Sequence, residues 1–231
     1  MAKIEEIVGR QVAAWGQSLD VAAREGKRPE HWPIITVSRE FGARGAALAG
    51  RLCERLEFSL WHKELVQAIA EDSDASEDVM ASLDERRQKS VEDAVLGALM
   101  GSKVTNVQYV RSLMRLVQVI AIHGSAVIVG RGANFICKPD STLRLRVVSP
   151  LDDRVSGYSR LKKISEREAR QQVVRTDAER ADFVQHHFRS GVDEAWSYDM
   201  VLNSSTYSLD DMVEIVLLAY RTKFGRLPKT A

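Results

Sequence analysis

One stretch, IITVSREFGARGAALAGRLCERL from Ile34 to Leu56, limits what this chain can fold into more than any other. Its β-branched start, Ile34 to Val37, breaks at Ser38 into a polar turn containing Gly42 and Gly45, then continues as an Ala/Leu/Arg-rich helical pattern. The reading is strand, glycine loop, helix. That order aims successive backbone N–H groups and the positive end of the helix dipole at one spot, where an anion such as a phosphate can sit. Ser38, Arg39, Gly42, Ala43, Arg44, Gly45 and Ala46 are therefore the candidate phosphate-binding positions. The loop is not a Walker A motif, because Ala46 and Ala47 stand where Lys and then Ser or Thr would follow the last glycine. Read alone, the segment leaves phosphate binding and a plain strand-to-helix turn equally open.

The rest of the chain supplies a sheet for that strand to join. Phe58 to Trp61, Ala126 to Val129, Leu143 to Val148 and Tyr198 to Leu202 are further short apolar runs. Separated by helical text, such runs suit a parallel sheet covered on both faces. Ile4, Ile7, Val8, Val12, Trp15, Leu19 and Val21 predict an amphipathic N-terminal helix, followed by a linker marked by Gly26, Pro29 and Pro33. Between the second and third strands the pattern predicts helices over Lys63–Glu71, Ser76–Met100 and Asn106–His123, broken at SDAS and GSKVTN, with Ser76 and Ser90 as cap candidates. Asp152–Leu161 reads as helix. Ser165-Glu166-Arg167-Glu168 and Ser208-Leu209-Asp210-Asp211 read as capping boxes, the first opening a helix toward His187 and the second a last helix through Tyr220.

Composition excludes several classes of function. Lys and Arg total 33 against 32 Asp and Glu, a net charge of +1, whereas a dedicated nucleic-acid binder shows a large basic excess. No apolar run approaches the roughly 18 residues of a membrane span. The N-terminus lacks a signal-peptide apolar core, and Cys53 and Cys137 lie in no C-x-x-C or ligand spacing, so a cytoplasmic protein with reduced thiols is expected. His31, His62, His123, His186 and His187 show no metal spacing, and no protein metal site is expected.

The carboxyl ends of parallel strands are where open α/β folds bind ligands. Here they carry Ser38-Arg39-Glu40, Gly130-Arg131-Gly132, Ser149-Pro150 and Asn203-Ser204. Arg131, between two glycines after a buried strand, can fork onto a phosphate or pair with a carboxylate to pin its loop. Arg44 is the one cation inside the glycine loop, and it either bridges phosphate oxygens or turns to solvent or Glu40. Arg154, Arg160, Arg167 and Arg170 stand among acids, a mixed-sign pattern that usually marks a solvated face, and Arg167 and Arg170 read so. Arg175-Thr176-Asp177-Ala178-Glu179-Arg180 is different: arginines in a segment after the fourth strand can close over a transferring phosphoryl group.

Taken in order, ITVSREFGARGAALAGRLCERL, WHKELV, VIVGRGANFI, VVSPLDDRV, VVRTDAERADF and YDMVLNSSTYSLDDMVEIV resemble the cytidylate kinase-like family of nucleoside monophosphate kinases, over about residues 34 to 222. The resemblance implies an α/β, P-loop NTPase-type three-layer fold with a five-stranded parallel sheet, a helical monophosphate-binding insertion over 62–124 and a lid over 155–190. Residues 31–231 would form that domain and 1–30 a helical extension. It implies ATP and Mg²⁺ as cofactors. Ser38, Gly42 and Gly45 would fall in the phosphate loop, and Arg131 would hold the acceptor's phosphate. Asp177 and Arg180 match the lid's D-x-x-R, contacting acceptor and transferred phosphate, with Arg175 and Arg44 as further catalytic candidates. The loop reads Gly42-Ala43-Arg44-Gly45-Ala46 where the family commonly has G-S-G-G-R. His62 stands where relatives often have Asp in Y-D-K-E-L, and is placed with the acceptor site.

The function expected on this resemblance is ATP-dependent phosphoryl transfer to a CMP- or dCMP-like nucleoside monophosphate. The alternatives are a nucleotide-binding module without turnover and a kinase for another small acceptor. Nucleotides are the expected partners, with no nucleic acid and no membrane; a homo-oligomer contact would form through the insertion or the N-terminal helix. A Rossmann dehydrogenase is disfavoured, since G-x-G-x-x-G is absent and no acid ends the second strand.

Overall fold

The computed structural model describes residues 4–24, 31–100 and 107–228. The linker expected at Gly26 and Pro29 and the break expected at 101–106 lie outside them. Compact packing divides the chain into two units, residues 1–32 with 61–125 and residues 33–60 with 126–231.

The second unit is built on the sheet. Strands β1 (Ile34–Arg39), β2 (Ser59–Trp61), β3 (Ala126–Val129), β4 (Thr142–Val148) and β5 (Met200–Asn203) form one parallel sheet in the order β2-β3-β1-β4-β5, with the unit boundary falling inside β2. β1 is central, pairing Ile35 with Val127 of β3 and with Leu143 of β4. The chain leaves β1 through α2 (Gly45–Leu56) to β2, on the β3 side of β1, and returns from β3 across β1 to β4 through the short α7 (Ala133–Ile136). Right-handed crossovers in opposite directions put their helices on opposite faces, giving the expected three-layer α/β fold with its topological switch point at the end of β1. α8 (Leu151–Lys162) and α9 (Glu166–Phe188) connect β4 to β5, and α10 (Leu209–Phe224) packs on α2. Ile34, Ile35, Leu48, Leu52, Ile128, Leu145, Val216 and Tyr220 are fully buried and fill this core.

The first unit is helical: α1 (Ile4–Arg24), α3 (Lys63–Glu71), α4 (Ser73–Ala81), α5 (Glu85–Leu99) and α6 (Val107–His123). The N-terminal helix thus packs with the insertion, Trp15 stacking on Trp61 at 5.9 Å and on His123 at 3.9 Å between ring centres. The single helix expected over Ser76–Met100 is instead two, and SDAS, expected as a break, is the start of the first of them. Asp72 and Asp84, not Ser76 and Ser90, are the caps: their carboxylates accept from the N–H groups of Ala75 and Arg87, and Ser76 is buried inside α4. A carboxylate accepts from first-turn amides about as well as a serine hydroxyl does, and its charge also favours the positive helix end. Both expected capping boxes are present, at Ser165/Glu168 and Ser208/Asp211. β5 starts at Met200 rather than Tyr198, because Tyr198 closes a 3-10 turn at Ala195–Ser197. Among the described residues no helix is long and apolar enough to cross a membrane.

Candidate functional site

The glycine loop leaves β1 at Arg39 and enters α2 at Gly45. Gly42 has φ 84° and Arg44 φ 60°, so the turn passes twice through the left-handed region, and Arg44 does so with a side chain that opposes it. Gly45 is held to glycine by close approach: a Cβ there would lie 2.6 Å from the Arg39 Cβ. The Arg39 side chain runs from there to Gly130, where a Cβ would collide with its Nη1. Two glycines from distant segments thus make room for one arginine, which crosses from the loop to the turn that carries Arg131. Amides in the first turn of α2 have no intrahelical acceptor, so this end of the helix retains donors for an anion.

Arg44 points elsewhere. It donates from Nη2 to the carbonyl oxygens of Ser204 and of Tyr207, the latter at 2.9 Å, and so ties the loop to the segment after β5. Glu40 is engaged separately, accepting from the Ser149 N–H at 2.9 Å and lying 3.4 Å from Arg154 Nε. Ala43 is buried, its N–H donating to the Glu40 carbonyl at 3.3 Å, and Ala46 is exposed on the first turn of α2.

Arg131 also adopts a left-handed conformation, φ 55°, and its Cζ lies 5.3 Å from the centre of the Phe183 ring on α9. The end of α9 covers this turn: Phe188 stacks on Phe135 of α7 at 5.4 Å and occupies the space a Cβ at Gly132 would need. Burial first, then the neighbouring His186 and Arg131, hold the His187 pKa below its usual value, so a neutral imidazole packs beside the arginine.

The helix expected to act as a lid is clasped to the loop. Asp177 accepts from the Phe41 N–H at 2.7 Å and pairs with Arg154 Nη1 at 2.5 Å. Arg180, three residues on, donates to the Arg39 carbonyl at 3.0 Å and lies 5.5 Å from the centre of the Phe41 ring. Arg175 is not brought to this group by its ion pair; its side chain is 74% exposed and pairs with Glu179 at 3.6 Å along the helix. His62 stands at the N-cap position of α3 in the other unit, exposed and making no side-chain cap bond. Ser38 ends up against Arg146 of β4, whose Nη1 donates to its Oγ at 3.3 Å.

A family model described as the cytidylate kinase-like family matches residues 34–206. The chain belongs to this family. Membership supports phosphoryl transfer as its general chemistry. A search of curated proteins finds no match. Among solved structures, an uncharacterised protein from Eubacterium ventriosum is similar at a TM-score of 0.59 and 19% identity, covering 83% of this chain and 99% of that one. A shikimate kinase from Bacteroides thetaiotaomicron gives 0.44 at 13% identity, covering 81% and 97%.

Within this cytidylate kinase-like chain, two arginines at the site escaped the sequence reading. Arg154, which stands in the mixed-sign cluster after the fourth strand with no role legible there, is buried and donates to the carbonyls of Ser149 and Phe41 at 2.8 and 3.1 Å. Charge periodicity does not separate it from Arg160 or Arg167. Arg146 did carry a signal, shared with Arg144: two guanidiniums inside TLRLRVV, a strand otherwise read as core.

Proposed function

We propose that this protein transfers the γ-phosphoryl group of ATP to a nucleoside monophosphate of the CMP or dCMP kind. The observation that carries the reading, beside family membership, is the gathering of three arginines from three separate segments. Arg39 leaves β1 and reaches Gly130, Arg131 follows directly, and Arg180 descends from α9 onto the Arg39 carbonyl. Phosphoryl transfer needs positioning and positive charge around the transferring group more than a covalent catalyst.

The residues present fit a polyphosphate. The left-handed turn at Gly42 and Arg44 and the open first turn of α2 would cradle it, and ATP with Mg²⁺ would supply the transferable phosphoryl group and the metal that neutralises it. Mg²⁺ takes many of its ligands from phosphate oxygens and water, so the ion would travel with the nucleotide. Arg131 would hold the acceptor's phosphate, and Arg180 would neutralise charge that builds in transfer. Asp177 is engaged by Phe41 and Arg154, and its contribution would be to set the loop against α9.

A second reading, a nucleotide-binding module without turnover, draws on one observation: Arg44, the cation nearest in sequence to the missing Walker lysine, is committed to two backbone carbonyls. A panel of nucleoside monophosphates assayed with ATP and Mg²⁺ for ADP formation separates the two. Turnover on CMP or dCMP supports the kinase; nucleotide binding with no acceptor-dependent turnover supports the module.

A further inference from the structure

Arg146 sits where a strand between two others normally places an apolar side chain. β4 is flanked by β1 and β5, and Arg146 pairs in register with Ser38 on one side and Val201 on the other. Its guanidinium donates from Nη2 to Asp193 Oδ1 at 2.6 Å and from Nη1 to Ser38 Oγ at 3.3 Å, with Cζ 5.7 Å from the centre of the Tyr198 ring. The Tyr198 hydroxyl donates to the Val192 carbonyl at 2.9 Å and lies 3.4 Å from Ser38 Oγ. Thr36, two residues before Ser38 on the same face of β1, is 1% exposed, and its hydroxyl has no hydrogen-bond partner among the described residues. This end of the sheet is therefore polar under a buried charge, beside the glycine loop.

The ion pair is lopsided. The Arg146 side chain is 8% exposed and that of Asp193 is 85% exposed. A buried guanidinium needs a counter-charge, because leaving it unpaired carries the full cost of desolvation. Asp193 has no matching need: it lies in the segment between α9 and the turn at Ala195, and water solvates its carboxylate as soon as it leaves. A guanidinium offers five N–H donors in a planar fork, of which two hydrogen bonds use two. An incoming oxyanion can take the place of the carboxylate, keep the charge compensated and engage the fork on two sides.

We propose that Arg146, with the hydroxyl of Ser38, is an oxyanion-binding position for the acceptor substrate, and that Asp193 holds that position in this structure as an exchangeable counter-ion. The ligand is a phosphate monoester or a carboxylate. The site lies at the carboxyl ends of β1 and β4, where the sheet's switch point opens, and it follows a different face of β1 from the one Arg39 takes to Gly45. The assignment of this oxyanion to an acceptor rests on the kinase reading; the existence of the site does not.

Calorimetric titration of the full chain with CMP, with inorganic phosphate and with malonate, for wild type, Asp193→Ala, Arg146→Lys, Arg146→Gln and the Asp193→Ala/Arg146→Gln double variant, tests this. Removing the competing carboxylate should tighten binding about fivefold at low ionic strength, the factor for an exposed ion-pair partner of about 1 kcal/mol. The gain should vanish in the double variant. Tightening of phosphate and CMP identifies a phosphate ester; tightening of malonate alone identifies a carboxylate and removes nucleoside monophosphates as the acceptor. Unchanged or weaker binding of all three probes in Asp193→Ala overturns the proposal, as does a gain that survives in the double variant. Should Arg146→Gln fail to fold, Arg146→Lys decides: it keeps the charge without the fork, so an undiminished Asp193→Ala effect in its background counts against a bidentate site. Absence of CMP turnover together with tightened phosphate binding would refute the kinase reading and leave the site standing.

Discussion

The Asp177 carboxylate on α9 accepts a hydrogen bond from the backbone N–H of Phe41 in the glycine loop, at 2.7 Å across a sequence separation of 136 residues. The same carboxylate pairs with Arg154, whose side chain is 8% exposed and which also donates to the Phe41 carbonyl. One acid thereby fixes the loop, α8 and α9 relative to one another.

Asp177→Ala removes a charged acceptor from a backbone amide and from a buried guanidinium that retains two carbonyl partners and the Glu40 carboxylate. The cost should be about 2 kcal/mol. For a chain of this size that is a fall in melting temperature of roughly 4 to 8 °C. Asp177→Asn keeps an acceptor for Phe41 and should lose less. Equal melting temperatures for wild type and both variants in differential scanning fluorimetry would show that the clasp does not hold the loop.

Arg180→Ala should lower kcat for the nucleoside monophosphate reaction by at least tenfold with little change in ATP affinity, since its proposed charge interaction strengthens in the transition state. Arg170, which pairs with Asp152 in solvent, provides the control. Arg170→Ala should leave kcat within about twofold, as expected for a surface pair of small energy. Steady-state kinetics showing equal losses from both would reduce Arg180 to part of a generic basic surface.

Arg44 combines a left-handed backbone with two bonds to carbonyls beyond β5. Arg44→Ala keeps the unfavourable φ and loses the tie, so it should destabilise by about 1 kcal/mol. Arg44→Gly loses the tie and relieves the backbone, which should recover much of that difference. A nucleotide titration run beside the melts checks whether the loop's affinity follows its anchoring. Melting temperatures that do not separate Gly from Ala would mean the left-handed turn carries no strain.

Acid should destabilise the helical unit through His123. Ser82 Oγ donates its proton to the Val79 carbonyl at 2.6 Å, so His123 Nε2 must donate to Ser82 at 2.9 Å, a neutral tautomer stacked on Trp15. Burial first, then the neighbouring His31 and Arg87, lower its pKa to about 4. A histidine whose folded pKa lies below its unfolded value contributes stability that is fully present above about pH 6.5 and lost progressively as pH falls toward 4. The loss should reach roughly 3 kcal/mol at about 1.4 kcal/mol per pH unit. Urea melts at pH 7 and pH 4.5 should show it, and His123→Gln should flatten that part of the profile. An unchanged slope in the variant would assign the acid sensitivity to other groups.

Strand positions and capping boxes were legible because each is a local pattern. Ala126–Val129 is a strand as read, and Ser165/Glu168 and Ser208/Asp211 close the reciprocal bonds that their spacing requires. The misread caps at Ser76 and Ser90 show the limit of that approach: Asp72 and Asp84 are equally local candidates, and the sequence pattern did not rank them ahead of serine.

What the sequence by itself determined was the strand, glycine loop and helix, the parallel sheet implied by short apolar runs, and the family. These rest on periodicity and neighbouring residues, which a linear text displays. Which arginines serve the site was decided by tertiary structure. Asp177 and Arg180, three residues apart on an α-helix, share a face, whereas Arg175 lies about 140° round from Arg180, so the contacts that bring Arg180 to the loop leave Arg175 in solvent. Arg44 found its acceptors 160 and 163 residues away, Arg146 a hydroxyl 108 residues before it, and Arg154 a carbonyl 113 residues before it. A guanidinium satisfies its donors with whatever oxygens the fold brings within about 3 Å, and only the folded chain sets which oxygens those are.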